Sequence, residues 1–246
     1  MQHDQNGSCR RPPVQRISRY VSIVVISIAI AACDDDATTD AGMAVQCDTP
    51  AAQRYLPLAI GTSWTYDTSD TGAPNVVKTQ TVEALEDVGD RKVGTTAYRL
   101  RTTKAGAGDV VSWHEDRCTS VLRHREQTFD ANGVLLSDQF YVPSKLRLDE
   151  TASNLVVGAT FSTEFTEVEV DPVDGTHTVS KMEDWTVEAI DETIAVPAGT
   201  FTCLRVRKVT SGGADKTFWF ALGIGKIKEQ GEQLESLTSY VPGATP

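Results

Sequence analysis

The sequence is poor in the residues that usually carry chemistry. Of its 246 residues four are histidine and five cysteine. No Cys-x-x-Cys or His-x-x-x-His pair appears among them, which speaks against a metal centre. His114 and His124 have no second histidine at a ligand spacing and read as solvent-facing strand residues. No Gly-x-Ser-x-Gly elbow is present, so serine-hydrolase chemistry has no visible anchor. The carboxylate pairs Glu167/Glu169 and Glu183/Asp184 read as solvated charge, because a glycosidase needs its two acids facing across a cleft. Asp171, Asp174 and Gly175 resemble the start of a calcium loop, but its closing acid would fall on Met182. Positive charge is scarce as well, with 23 basic against 34 acidic residues and a net charge of −11. A surface that acidic repels phosphate backbones, which argues against nucleic acid as a partner. We therefore expect no catalytic set, no metal and no cofactor, and a protein that is not an enzyme.

The most informative segment lies near the start. Arg10, Arg11, Arg16 and Arg19 lead into an apolar run over residues 20–32, followed by Cys33 and then Asp34, Asp35 and Asp36. A positive stretch, an apolar core of about a dozen residues and small residues at its end make a secretory signal peptide. The run is too short for a permanent span of a bilayer roughly 30 Å thick. Its end, Ile30-Ala31-Ala32-Cys33, resembles the bacterial lipobox, with cleavage after Ala32 and a lipid on Cys33. The competing reading is an ordinary signal peptide cut after Ala32 or further on. A twin-arginine signal does not fit, because Pro12 and Pro13 follow Arg10 and Arg11. These readings divide the chain into a signal peptide (1–32), an acidic flexible tether (33–50), one folded domain (51–240) and a disordered tail (241–246). The protein is expected on the bacterial cell envelope, held to the membrane by its N-terminal lipid, on the periplasmic face or the outer surface.

Export places Cys47, Cys118 and Cys203 in an oxidising compartment. Sequence alone allows three pairings. We expect Cys47–Cys118, which would tie the start of the domain to its middle, and a buried free thiol at Cys203.

Between residues 51 and 240 the pattern is that of strands. Val, Thr, Phe, Tyr and Trp cluster in runs of five to ten residues divided by turn residues. Tyr98 and Leu100 alternate with Arg99 and Arg101, Leu204 and Val206 with Arg205 and Arg207, and Leu146 and Leu148 with Lys145 and Arg147. A period of two with charge on one side suggests an antiparallel sheet with one packed and one wet face. Phe161 and Phe165 fall on odd positions and Val168 and Val170 on even ones, which predicts a bulge near Thr166. Asn132-Gly133 is the strongest hairpin signal. The expected fold is all-β: ten or eleven antiparallel strands in a strongly curled sheet or half-barrel, with short helices at most near 53–58 or 142–145.

Trp64, Trp185 and Trp219 each stand among apolar neighbours and are candidates either for the core or for lining a ligand groove. Phe218-Trp219-Phe220 puts aromatic bulk on both faces of one strand, so something must cover the second face. Three segments carry a family resemblance. They are Tyr55–Leu58 with Ile60–Tyr66, then Val196-Pro197-Ala198-Gly199-Thr200-Phe201, and Trp219 through Lys228. In this order they resemble the exported bacterial β-proteins similar to the domain of unknown function 3108. The resemblance implies a curled antiparallel sheet, distantly like the half-barrels of periplasmic lipoprotein carriers, and no agreed activity. The leading functional expectation is binding of an apolar small molecule or an envelope protein segment in the concave face. A structural envelope protein without a ligand, or a hydrolase with a hidden site, are the alternatives.

Overall fold

The computed structural model describes residues 47–69 and 75–244. Ala32, Cys33 and most of the tether lie outside the described residues. Twelve strands follow in chain order: β1 (Ser63–Ser69), β2 (Val76–Asp87), β3 (Thr96–Lys104), β4 (Val110–Asp116), β5 (Ser120–Phe129) and β6 (Leu135–Asp149), then β7 (Thr160–Asp171), β8 (Gly175–Val196), β9 (Gly199–Thr210), β10 (Asp215–Ala221), β11 (Gly225–Gln230) and β12 (Leu234–Val241). Each pairs antiparallel with its sequence neighbours, and β12 pairs back to β1 with Ser63 opposite Val241. The sheet therefore closes into a barrel of twelve strands. This is one step beyond the expected half-barrel of ten or eleven, and no α-helix occurs among the described residues. Residues 142–145 lie inside β6, and the N-terminal helical signal is a single 3-10 turn over Ala51–Gln53.

Period-two alternation sets the two faces. Trp64 and Tyr66 of β1 lie across from Gln80 and Lys78 of β2, which lie across from Thr102 and Lys104 of β3; all six point inward. Bulges in several ladders, such as at Val82/Ala84, Trp113/His114 and Val187/Ala189, add the bend that closure needs. None falls near Thr166: β7 pairs with β8 without interruption from Thr160 to Asp171. Phe161 and Phe165 face inward and Val168 and Val170 face out, so the apparent slip was an apolar outer face. Asn132-Gly133 does turn the β5–β6 hairpin, with Gly133 in the left-handed region at φ 79°.

One end of the barrel is stopped by the segment before β1. Arg54, 3% exposed, forms ion pairs with Asp116 at 2.5 Å and Glu150 at 3.4 Å. Glu150 also accepts the backbone N–H groups of Tyr55 (2.7 Å) and Leu56 (3.2 Å). The expected disulfide Cys47–Cys118 is present and fastens the same segment to the β4–β5 turn. Tyr55 and Leu58 then pack on the apolar interior with Trp64, Leu100, Leu204, Phe220, Ile227 and Leu237. Gly225, at φ 105°, lets β11 pass Trp64: a Cβ there would stand 3.1 Å from the indole nitrogen. At the other terminus the chain stays attached past residue 240. Gly243 donates to Thr62 Oγ1 (3.0 Å) and Ala244 to the Ile60 carbonyl (3.0 Å), so the described part of the expected tail is anchored.

A candidate ligand-binding lumen

The barrel encloses a cavity of about 770 Å³. Its floor is apolar, made by Leu56 and Leu58 of the stopper with Trp64, Leu100, Phe218 and Phe220. At the opposite end Gly108, Asp130, Ala214 and Gln233 of four hairpins reach the lining. Between the two ends the wall is charged. Nine lysine and arginine side chains line the cavity against four carboxylates, inside a chain whose net charge is −11.

Most of these charges are matched. Lys226 bonds both Glu229 and Glu235 (2.7 Å to Glu235), Lys78 also pairs with Glu235, and Lys216 reaches Glu229 at 3.0 Å. Burial opposes the charge on Lys226, yet Glu229 and Glu235 together raise its pKa above the usual lysine value. Lys78 gives way instead: burial, then the neighbouring Lys226 charge, push it down to about 8. Across the lumen Glu183, 0% exposed, accepts from Lys208 at 2.7 Å and lies 3.5 Å from Lys145. Burial lowers Lys208 to about 7 and Lys145 to about 8, and Glu183 resists in both cases. Arg123 pairs with Glu126. Arg147 is different. It lines the cavity, its Nε is buried, and it has no hydrogen bond or ion pair to any described residue. Burial and then Arg123 lower its pKa from the usual guanidinium value.

Several expectations about individual residues change here. His114 and His124 are 3% and 5% exposed and do not face solvent. The His114 Nε2 receives the Arg123 Nε–H at 3.2 Å and lies 3.1 Å from the Ser112 hydroxyl. Burial, then Arg123 and Arg147, hold His114 well below the ordinary histidine pKa, which makes it a poor base for Ser112. His124 bonds Glu115 at 2.8 Å. Glu183 and Glu167 turn inward to lysines, Glu167 accepting from Lys181 at 2.8 Å, while Asp184 receives the Ser162 hydroxyl on the outer face. Of the three tryptophans only Trp64 lines the lumen, its indole N–H donating to the Ile224 carbonyl at 2.5 Å. Trp185 is buried between Phe161 and Phe218, with Lys208 5.2 Å over its ring. Trp219 points outward, donates to Glu192 (3.1 Å) and is covered by Lys228 at 4.7 Å, which supplies the second-face cover that its strand requires. Cys203 is a free buried thiol, raised by burial to about 11. Asp116 lies close to Cys47 and Cys118, but both sulfurs are spent in the disulfide, so that trio cannot serve as a metal site.

Neither a protein-family model nor a curated protein matches the chain. Among solved structures it is similar to a presumed exported protein with a YmcC-like fold from Bacteroides fragilis. That match has 11% identity and a TM-score of 0.48, covering 76% of this chain and 99% of that one. It is also similar to a presumed lipoprotein from Parabacteroides distasonis, at 12% identity and a TM-score of 0.37, over 80% and 100% of the two chains. Likenesses this distant carry no conclusion about a ligand. The residues missed by sequence reasoning are the inward charges. Their alternation was visible, but nothing in it says which face of a closing sheet becomes the inside.

Proposed function

We propose that this is a non-enzymatic binding protein of the bacterial cell envelope, lipid-anchored through Cys33, that takes a small organic molecule into its barrel. The observation that carries the reading is the lumen itself. A cavity of about 770 Å³ with an apolar floor has the size of small-molecule sites, and its charged wall makes it more polar than most of them. The segment over residues 16–33 supports export and acylation, and the Cys47–Cys118 bond fits an oxidising compartment. A binding role suits the chemistry better than catalysis, because Glu126, Glu229 and Glu235 are ion-paired and His114 is a weak base.

Native mass spectrometry of the full chain, extracted from membranes in non-ionic detergent, tests the binding reading. We expect a copurified small molecule in the wild type and its loss in Thr102→Trp, which fills the lumen. A wild type with no bound mass would favour a structural barrel. Cys33→Ala tests the anchor separately: it should move the protein from the membrane to the soluble fraction.

A further inference from the structure

Four cations converge on one wall of the lumen. Arg123 of β5 lies directly across from Lys145 of β6, and Arg147, at the register shift just beyond, also lines the lumen. Lys208 of β9 joins them from the far side, since its ammonium and that of Lys145 both reach one oxygen of Glu183. Two carboxylates, Glu126 and Glu183, form ion pairs with three of these charges, and Glu229 attracts Arg147 from farther off. Arg123 is used by Glu126 and His114, and both lysines by Glu183. Arg147 is left with a buried Nε and no partner among the described residues.

Resting on the binding reading above, we infer that the lumen takes an organic anion, and that Arg147 holds its carboxylate or phosphate group. The planar guanidinium fork matches either oxyanion through two parallel N–H bonds. Lys145 and Lys208 border the position such a group would take, and its charge would offset the cationic excess of this wall. The rest of the molecule would lie on Trp64, Leu100, Phe218 and Phe220, which makes the fitting ligand an amphiphile with an acidic head. Burial and the Arg123 charge lower the pKa of Arg147 despite the attraction of Glu229, Glu126 and Glu183.

Native mass spectrometry of the full chain in non-ionic detergent, titrated with decanoate, decyl phosphate, decanol and inorganic phosphate, tests this. We expect decanoate or decyl phosphate to bind at least tenfold tighter than decanol, and the tighter of the two names the head group. Arg147→Met should weaken the preferred anion at least tenfold and leave decanol unchanged. Lys145→Met, which keeps Arg147, should weaken the anion less, and guards against a folding defect confined to one variant. If decanol binds as tightly as the acids, the anion assignment falls while the binding reading stands. An Arg147→Met protein that keeps full anion affinity removes Arg147 from the site. Inorganic phosphate binding as tightly as decyl phosphate would reduce the site to an ion site and overturn the amphiphile. Binding of none of the four overturns both readings.

Discussion

Replacing Arg147 by methionine should make the protein more stable. Most buried charges in this barrel are held by an opposite charge, so removing one normally leaves its partner stranded. Arg147 leaves no ion-pair partner stranded: its buried Nε is unbonded, and Glu229, Glu126 and Glu183, which attract it from a distance, each keep a lysine or arginine of their own. What the substitution removes is the desolvation of a guanidinium and its repulsion by Arg123, Lys145 and Lys208, which together outweigh the attraction of Glu229, Glu126 and Glu183, since the Arg147 pKa is lowered. Exchanging buried ionic groups for apolar ones of similar size is often stabilising by about 1–4 kcal/mol. At about 2 kcal/mol, and roughly 2–4 °C per kcal/mol for a domain of this size, the melting temperature should rise by about 4–8 °C. Thermal and urea denaturation of the full chain in non-ionic detergent measure it. Lys208→Met is the control in the opposite direction, because it takes the shorter of two ion pairs from a fully buried Glu183. It should cost about 2–3 kcal/mol, somewhat less than a fully broken buried pair. A loss of stability in Arg147→Met comparable to that in Lys208→Met would refute the reasoning, since it would mean that Arg147 holds a structural partner.

Three further outcomes follow from the same geometry. Arg54→Ala leaves Asp116 and Glu150 without their guanidinium at the stopped end and should cost about 3–5 kcal/mol in urea denaturation. The Cys47–Cys118 bond spans a sequence separation of 71 residues, so Cys118→Ser should lower stability by about 4 kcal/mol in the chain-entropy picture; a change within 1 kcal/mol would show the stopper is held by its ion pairs alone. Lys78, Lys145 and Lys208 titrate at about 8, 8 and 7 when folded, against about 10.4 in the unfolded chain. Between those values the unfolded chain binds more protons, so stability should rise from about pH 7 to pH 10. Above pH 10 Tyr66 and Tyr141, which burial keeps protonated, should reverse the trend. Melting temperatures that fall between pH 7 and pH 9.5 would contradict the burial of these lysines.

How much of this was legible in the sequence depends on which face a residue occupies. Strand periods and the Asn132-Gly133 hairpin were readable, because backbone geometry dictates them locally. The Cys47–Cys118 pairing was a choice among three, and the structure makes the same one. The inside of the barrel was not readable. Tyr98 and Leu100 obeyed the rule that apolar residues face in and charged ones face out, with Arg99 and Arg101 on the outer face bonding Glu83. In β6 Leu146 and Leu148 are buried as the rule requires, yet Lys145 and Arg147 line the lumen too, with the β5–β6 ladder shifting beside Arg147. Alternation reports that a strand has two different faces. It does not report that a sheet will curl until its polar stretch encloses a space. The buried histidines were missed for the same reason, since their partners Arg123 and Glu115 come from neighbouring strands.

Joining the first strand to the last has a consequence for synthesis. Ser63 meets Val241, so the ring cannot shut until β12 has left the ribosome. Until then β1 and the newest strand each present a bare ladder of amide and carbonyl groups, open to pairing with other chains. A protein shortened by even its final strand would keep both ladders exposed permanently, and insoluble aggregates would be its expected fate.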